Sequence, residues 1–192
     1  MADEVTPLRL FLVANDPYIG SDDPVLIDGC SRADLVVCLG GVDLRTVAAA
    51  VPERKPVLCV YGPKDQRTLP SKTFKVLHGS GFSFKDWKIA GLSGGLRIAP
   101  GAGFYLSEEE AGTLLGNLPA ADLFFSHAYP KGLQASNVMD VYGMDALNRY
   151  LDQRPPIYHF YAHPEETVLE ERQGYLSIGV NGTFLTPPLE FV

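Results

Sequence analysis

The sequence predicts an α/β domain built around a parallel sheet. Three short apolar runs carry that reading: Leu8–Ala14 (LRLFLVA), Leu35–Leu39 (LVVCL) and Val57–Tyr61 (VLCVY). Each is near-continuously apolar rather than alternating, as expected of strands covered on both faces. Each stops abruptly in polar or glycine-containing residues: NDPYIG, GGVD and GPKD. Between the second and third runs, DLRTVAAAVPERKP suits a short helix stopped by Pro56. Strand, loop, helix, strand is the layout of a parallel sheet, in which loops at the strand C-termini form the ligand crevice.

The middle of the chain has another texture. From Thr73 to Arg97 the runs are short, alternating and glycine-punctuated, which predicts antiparallel strands and hairpins. Ser107 then opens a helix: it is a natural N-cap with Glu110 three residues on, a capping box, and the helix runs through AGTLLGNL to Pro119. Leu123–Phe125 restarts the strand-then-loop pattern and ends in SHAYPKG. A helix from about Met144 to Gln153 follows, then the strand IYHFYA ending in HPEE. GYLSIGVNGTFL reads as two antiparallel strands around a turn at Asn181-Gly182. Five strand ends thus carry polar tips: NDPY, GGVD, GPKD, SHAYPKG and AHPEE. No repeat, low-complexity segment or linker divides the chain, and residues 1–192 read as one domain.

Composition sets the outer bounds. The 192 residues are 46% hydrophobic and 20% charged, which excludes intrinsic disorder. No apolar run reaches the ~18 residues of a spanning helix. The N-terminus, MADEVTPLRLFLVAND, has acidic residues where a secretory signal is basic. With 16 Lys+Arg against 23 Asp+Glu, a net charge of −7, bulk affinity for nucleic acid or anionic lipid is not expected. Cys30, Cys38 and Cys59 are odd in number and two lie inside apolar runs. They read as buried reduced thiols and point to the cytoplasm.

The order of the five tips resembles the calcineurin-like metallophosphoesterase superfamily, over nearly the whole chain from about Leu8 to Phe184. That family carries D-x-H, G-D-x-x-D, G-N-H-D/E, a lone His and G-H-x-H in order, each after a sheet strand. The segments KVLHGSGFSFKDWKIAGLSGG and DLFFSHAYPKG resemble the family's connecting hairpin and its lone-His strand. The resemblance implies a four-layer α/β/β/α sandwich with two mixed sheets. Active members hold two divalent metals at the loop edge and hydrolyse phosphoesters with a metal-bridging water or hydroxide.

Carried over position by position, the ligand set is damaged. Asp16 matches the first Asp, but Tyr18 stands for its His. Gly41 stands for the bridging Asp, Leu44 for the second Asp, and Asp43 is one residue out of register. Gly62 and Asp65 match, but Pro63 replaces the metal-binding Asn and Lys64 the catalytic His. His127 matches the lone His, His163 the first His of the last motif, and Glu165 replaces its second. Loss of the bridge matters most. Two dications about 3.5 Å apart repel by roughly 19 kcal/mol at an effective dielectric of 20, and Gly41 and Pro63 offer no side-chain oxygen to offset it. A degenerate member is the reading. A single metal on Asp16, His127, His163 and Glu165, with Asp43 a further candidate, suits Zn, Mn or Fe.

Other candidates have plainer readings. Lys64 is either a phosphate- or carboxylate-holding ammonium or a solvated loop residue. Asp65 caps the following turn. His159 reads as a structural histidine, His78 as a turn or core residue, and Glu108–Glu110 as a macrodipole-favoured helix start. Tyr18, Tyr61, Tyr129 and Tyr161 crowd the tips and would line an aromatic cleft.

Two functions compete. The first is a non-catalytic binding or scaffold module with no cofactor, whose partner is a protein or a phosphate-containing ligand. The second is a phosphoesterase with a rebuilt single-metal site, in which His163 and Lys64 are the catalytic candidates. A nucleotide-binding α/β domain is disfavoured because GLSGG precedes a strand-like segment, not a helix. A homodimer is possible in either reading.

Overall fold

The computed structural model describes residues 6–98, 101–132 and 143–190. The first five residues, part of the N-terminal reading, lie outside them. The three apolar runs form β1 (Leu10–Ala14), β2 (Leu35–Cys38) and β3 (Val57–Cys59). They pair in parallel with Leu12 beside Val37 and Cys38 beside Cys59. Every residue in them is buried, so continuous apolarity follows from two covered faces.

Two helices lie between these strands, and the sequence pattern predicts only the second. The first, α1 (Pro24–Arg32), starts at Asp23, whose carboxylate accepts the Val25 and Leu26 amides at 2.8 and 3.1 Å. Its C-terminal end is capped from outside: Lys55 Nζ donates to the Cys30, Ser31 and Ala33 carbonyls. The second, α2 (Leu44–Ala50), is capped by Asp43 and ends at Val51, before Pro52 rather than at Pro56. Pro52 lacks the amide that would continue it.

β4 (Phe74–Val76) pairs in parallel with β3 and completes one side of this sheet. This corrects the expectation of a wholly antiparallel middle. The antiparallel part is the hairpin of β5 (Ser80–Phe84) and β6 (Trp87–Leu92). A small parallel pair follows, β7 (Gly95–Leu96) with β8 (Tyr105–Leu106). Helix α3 (Glu108–Gly116) opens with the expected capping box, Ser107 Oγ accepting from the Glu110 amide at 3.1 Å and Glu110 from the Ser107 amide at 2.7 Å. β9 (Leu123–Ser126), α4 (Asp145–Gln153) and β10 (Tyr158–Ala162) fall where the periodicity placed them. The chain ends in β11 (Val168–Arg172), β12 (Tyr175–Val180) and β13 (Gly182–Leu185).

The strands divide into two mixed sheets, β13-β1-β2-β3-β4 and β11-β12-β10-β9-β6-β5. β12 and β13 are therefore not a hairpin. Between them Asn181 is held by Thr167 and by the Glu165 carbonyl, and Gly182 at φ +74° turns the chain into the other sheet, where β13 pairs antiparallel with β1.

Side-chain parity builds the layers. Leu10, Leu12, Leu35, Val37 and Leu58 of the first sheet meet Trp87, Ile89, Phe125, Phe160 and Ile178 of the second. On the first sheet's other face, Phe11, Val36, Cys38 and Cys59 pack under Leu26 and Cys30 of α1 and Val47 of α2. On the second sheet's other face, Ala90, Leu92 and Phe124 pack under Leu115 of α3 and Leu147 and Leu151 of α4. The result is an α/β/β/α sandwich. Among the described residues no helix is long and apolar enough to cross a membrane.

Candidate functional site

Both sheets point strand C-termini at one edge, where the polar tips meet. Asn15, the residue after β1, holds this edge together. Its amide donates to the Gly40 carbonyl at 2.9 Å, and its side-chain Nδ2 donates to the His163 carbonyl at 2.7 Å. It thereby joins a tip of the first sheet to a tip of the second. Its φ is +50°, a conformation asparagine tolerates better than most residues. A second link runs from His127 Nδ1 to the Leu39 carbonyl at 2.8 Å.

The glycines after β2 are there because nothing larger fits. Gly40 has φ +91°, and a Cβ on it would lie 2.5 Å from both the Gly62 nitrogen and His127 Nδ1. Gly41 has φ +71°, and its Cβ would meet Asn15 Oδ1 at 2.9 Å and Asn15 Cα at 3.0 Å. The position where the resemblance puts a bridging carboxylate is crowded by the side chain and backbone of Asn15 and strained by its own left-handed φ.

Asp65 does more than cap a turn. Its carboxylate accepts the Gly41 amide at 2.9 and 3.1 Å and the Gly62 amide at 2.7 Å, tying the loops after β2 and β3. Its oxygens are occupied by backbone donors.

The histidines differ in what they offer. His163 is fully buried, and its Nδ1 accepts from the Glu165 and Glu166 amides at 3.2 and 3.1 Å. Those bonds assign the proton to Nε2, which has no hydrogen-bond partner among the described residues. Its lone pair is therefore spent on backbone. Burial holds its pKa below the usual range, against the pull of Glu165 and Glu166. His127 is the reverse case: donating from Nδ1 to Leu39, it keeps its lone pair on Nε2. Burial lowers its pKa too, opposed by the Leu39 bond and the Asp65 charge. His159 is satisfied within β10, between Ser126 Oγ and Ser177 Oγ at 2.9 Å each. His78 stands edge-on to Phe104 with ring centroids 4.8 Å apart.

The remaining sequence candidates are dispersed. Asp16 accepts the Tyr18 amide at 3.3 Å. Asp43 caps α2 and pairs with Arg45 at 2.8 Å; the Arg45 contacts hold its pKa low. Glu165 is exposed, and its carbonyl accepts from Asn181. Lys64 is exposed. Among the described residues no three His, Cys, Asp or Glu side chains gather as metal ligands. The donor chemistry agrees: His163 and Asp65 have committed their acceptors to amides, and Asp43 is turned to Arg45. The residues present do not fit the family's metal pair.

Among the described residues, two recesses at this edge border the sequence candidates. The smaller, about 190 Å³, lies between the sheets and is walled by Pro63, Leu96, Tyr105, His127, Tyr129 and Pro164. The larger, about 650 Å³, lies outside the first sheet and is lined by Pro17, Val42, Arg45, Lys64, Gln66 and Thr68 among others. The expected aromatic cleft forms only in part. Tyr129 lies tilted at 54° to the buried Tyr161, with ring centroids 6.4 Å apart, and Tyr61 is buried, but Tyr18 is 95% exposed and fills nothing. Sequence reasoning missed Asn15; an asparagine directly after a buried strand was the available signal.

No protein-family model and no curated protein sequence matches this chain. Solved structures do. TT1561 of Thermus thermophilus superposes with a TM-score of 0.68 at 13% identity, over 92% of this chain and 90% of that one. A Vps29 variant of Entamoeba histolytica is more distant, with a TM-score of 0.43 at 14% identity over 91% and 74%. These neighbours are metallophosphoesterase-type proteins. At such identities the likeness concerns architecture, and the architecture is the metallophosphoesterase-like sandwich.

Proposed function

We propose that this chain is a degenerate member of the metallophosphoesterase superfamily that works as a binding or scaffold module rather than a hydrolase. The observation that carries this is the corner at Gly41, where Asn15 and a left-handed backbone occupy the place of a bridging carboxylate. The commitment of Asp65 and His163 to backbone amides supports the same reading. Its partner would be a protein or a phosphate-containing ligand met at the loop edge. Three buried free thiols favour a reducing compartment, the cytoplasm.

The rival is a single-metal phosphoesterase centred on His127, whose Nε2 lone pair is free of the Leu39 bond. Purification without chelator, metal analysis and a phosphodiester assay with added Mn²⁺ separate the two. The module reading expects no stoichiometric metal, no turnover and no thermal shift in millimolar Mn²⁺ or Zn²⁺, because a ligand bound to the native state must raise its stability. Stoichiometric metal with turnover lost in His127→Ala would overturn it.

A further inference from the structure

The loop after β3 has a second flank, away from His127. There Pro63, Lys64, Asp65 and Arg67 face Ala102–Phe104 across a recess of about 310 Å³. The two walls are joined: the Phe104 amide donates to the Pro63 carbonyl at 2.8 Å. The Arg67 guanidinium lies over the Phe104 ring, 5.1 Å from its centroid. Neither Lys64 nor Arg67 pairs with a carboxylate among the described residues, whereas Arg45 is paired with Asp43. Asp65, the acidic group of the lining, already accepts three amide hydrogen bonds from Gly41 and Gly62.

We propose that this recess is a metal-independent oxyanion site that takes the phosphate group of a small phosphomonoester between Lys64 Nζ and the Arg67 guanidinium. The planar fork of arginine matches two phosphate oxygens, and a lysine ammonium supplies a point charge beside it. Stacking on Phe104 restrains Arg67 before the ligand arrives, which lowers the ordering cost of binding. The recess is at the small end of ligand pockets, about 300–1,000 Å³, so it suits the phosphate and sugar of a mononucleotide, with the base left outside, rather than a polymer. This rests on the reading of the edge as a binding surface and names its ligand class.

The test is calorimetric titration of the full chain with inorganic phosphate and with AMP, in EDTA. Lys64→Met and Arg67→Met keep the apolar stems and remove the charges. Saturable binding of either ligand is expected, weakened about tenfold by each substitution and weakened further by added salt. Thermal unfolding of both variants should match the parent, showing that folding is intact. Absence of saturable heat in EDTA, variants that bind like the parent, or acetate binding as tightly as phosphate would each overturn the proposal. Binding that appears only with Mn²⁺ would overturn it and restore the single-metal reading. Absence of binding with and without metal would overturn this site alone and leave the scaffold reading in place.

Discussion

Gly41 shows how one residue decides what a loop can hold. Its φ of +71° places it in the left-handed region, and Asn15 leaves a Cβ less than 3 Å of clearance. Placing a carboxylate here by Gly41→Asp, as the resemblance to metallophosphoesterases would have it, is therefore expected to destabilise the fold by about 1–3 kcal/mol, without recruiting metal. Urea unfolding with and without Mn²⁺ checks both halves. A variant as stable as the parent that gains a metal-dependent thermal shift would refute the closed-corner argument. At this scale the sequence was partly legible. The tips and their order placed Asp16, Gly41, Pro63, His127 and His163 at one edge, because buried parallel strands must present their C-terminal loops together. The hydrogen bonds that commit those residues were not legible. Nothing in HPEE tells that the His163 Nδ1 would turn back to the Glu165 and Glu166 amides. Arg67 matched no motif position, and its role depends on Phe104, thirty-seven residues away in sequence.

Among the elements, α4 depends on a neighbour for its start. Its N-cap, Met144, makes no side-chain capping hydrogen bond, and the carboxylate of Glu108 takes the role. Glu108 accepts the Asp145 amide at 2.9 Å and the Ala146 amide at 2.6 Å, so the first residue of α3 caps the N-terminus of α4. Glu108→Ala is expected to cost about 1–2 kcal/mol, the scale of a lost N-cap. Glu109→Ala, at an exposed position of the same turn, should stay within ~0.5 kcal/mol. Equal effects in chemical denaturation would reduce Glu108 to a surface charge. The sequence read Glu108–Glu110 as one acidic helix start, and only the fold separates their tasks. The same holds elsewhere. Strands β1, β2 and β3 were readable because both faces are buried. Helix α1 was not, since Pro24, Gly29 and the exposed Val25 and Ile27 leave no clean apolar stripe. Strand β11, with Glu170 and Glu171 on an edge, lacks an apolar run altogether. Asn181-Gly182 has hairpin chemistry, but which sheet receives the next strand is set by β1, far away in sequence.

The whole molecule holds its four histidines below their ordinary pKa, and burial is the leading cause at each. His159 is the extreme, pushed down to about 3 by burial and by the nearby Arg172 charge. The consequence for stability has a definite sign. Above the unfolded value of about 6.5, both states are neutral and the contribution of these groups is complete. As pH falls below it, the unfolded chain binds protons that the native state refuses, so stability declines, by at most about 1.4 kcal/mol per pH unit for a histidine that stays neutral in the native state. For His159 the decline continues to about pH 3. His78, His127 and His163 add to the slope just below pH 6.5. Asp34 works in the same direction at lower pH. Burial alone would raise its pKa, but bonds from Arg9 and Lys85 outweigh that and hold it low, so its contribution is lost below about 4. Neutralising a net charge of −7 relieves self-repulsion and opposes this trend, but those charges are dispersed over a screened surface. The buried imidazoles should dominate. Urea midpoints are expected to be flat from pH 8 to 7 and to drop steadily from 6.5 to 4.5. His159→Gln should flatten that drop by about one histidine's slope even if it lowers the plateau. Undiminished stability at pH 5 would mean that these imidazoles accept protons in place, and that the sandwich opens readily around them.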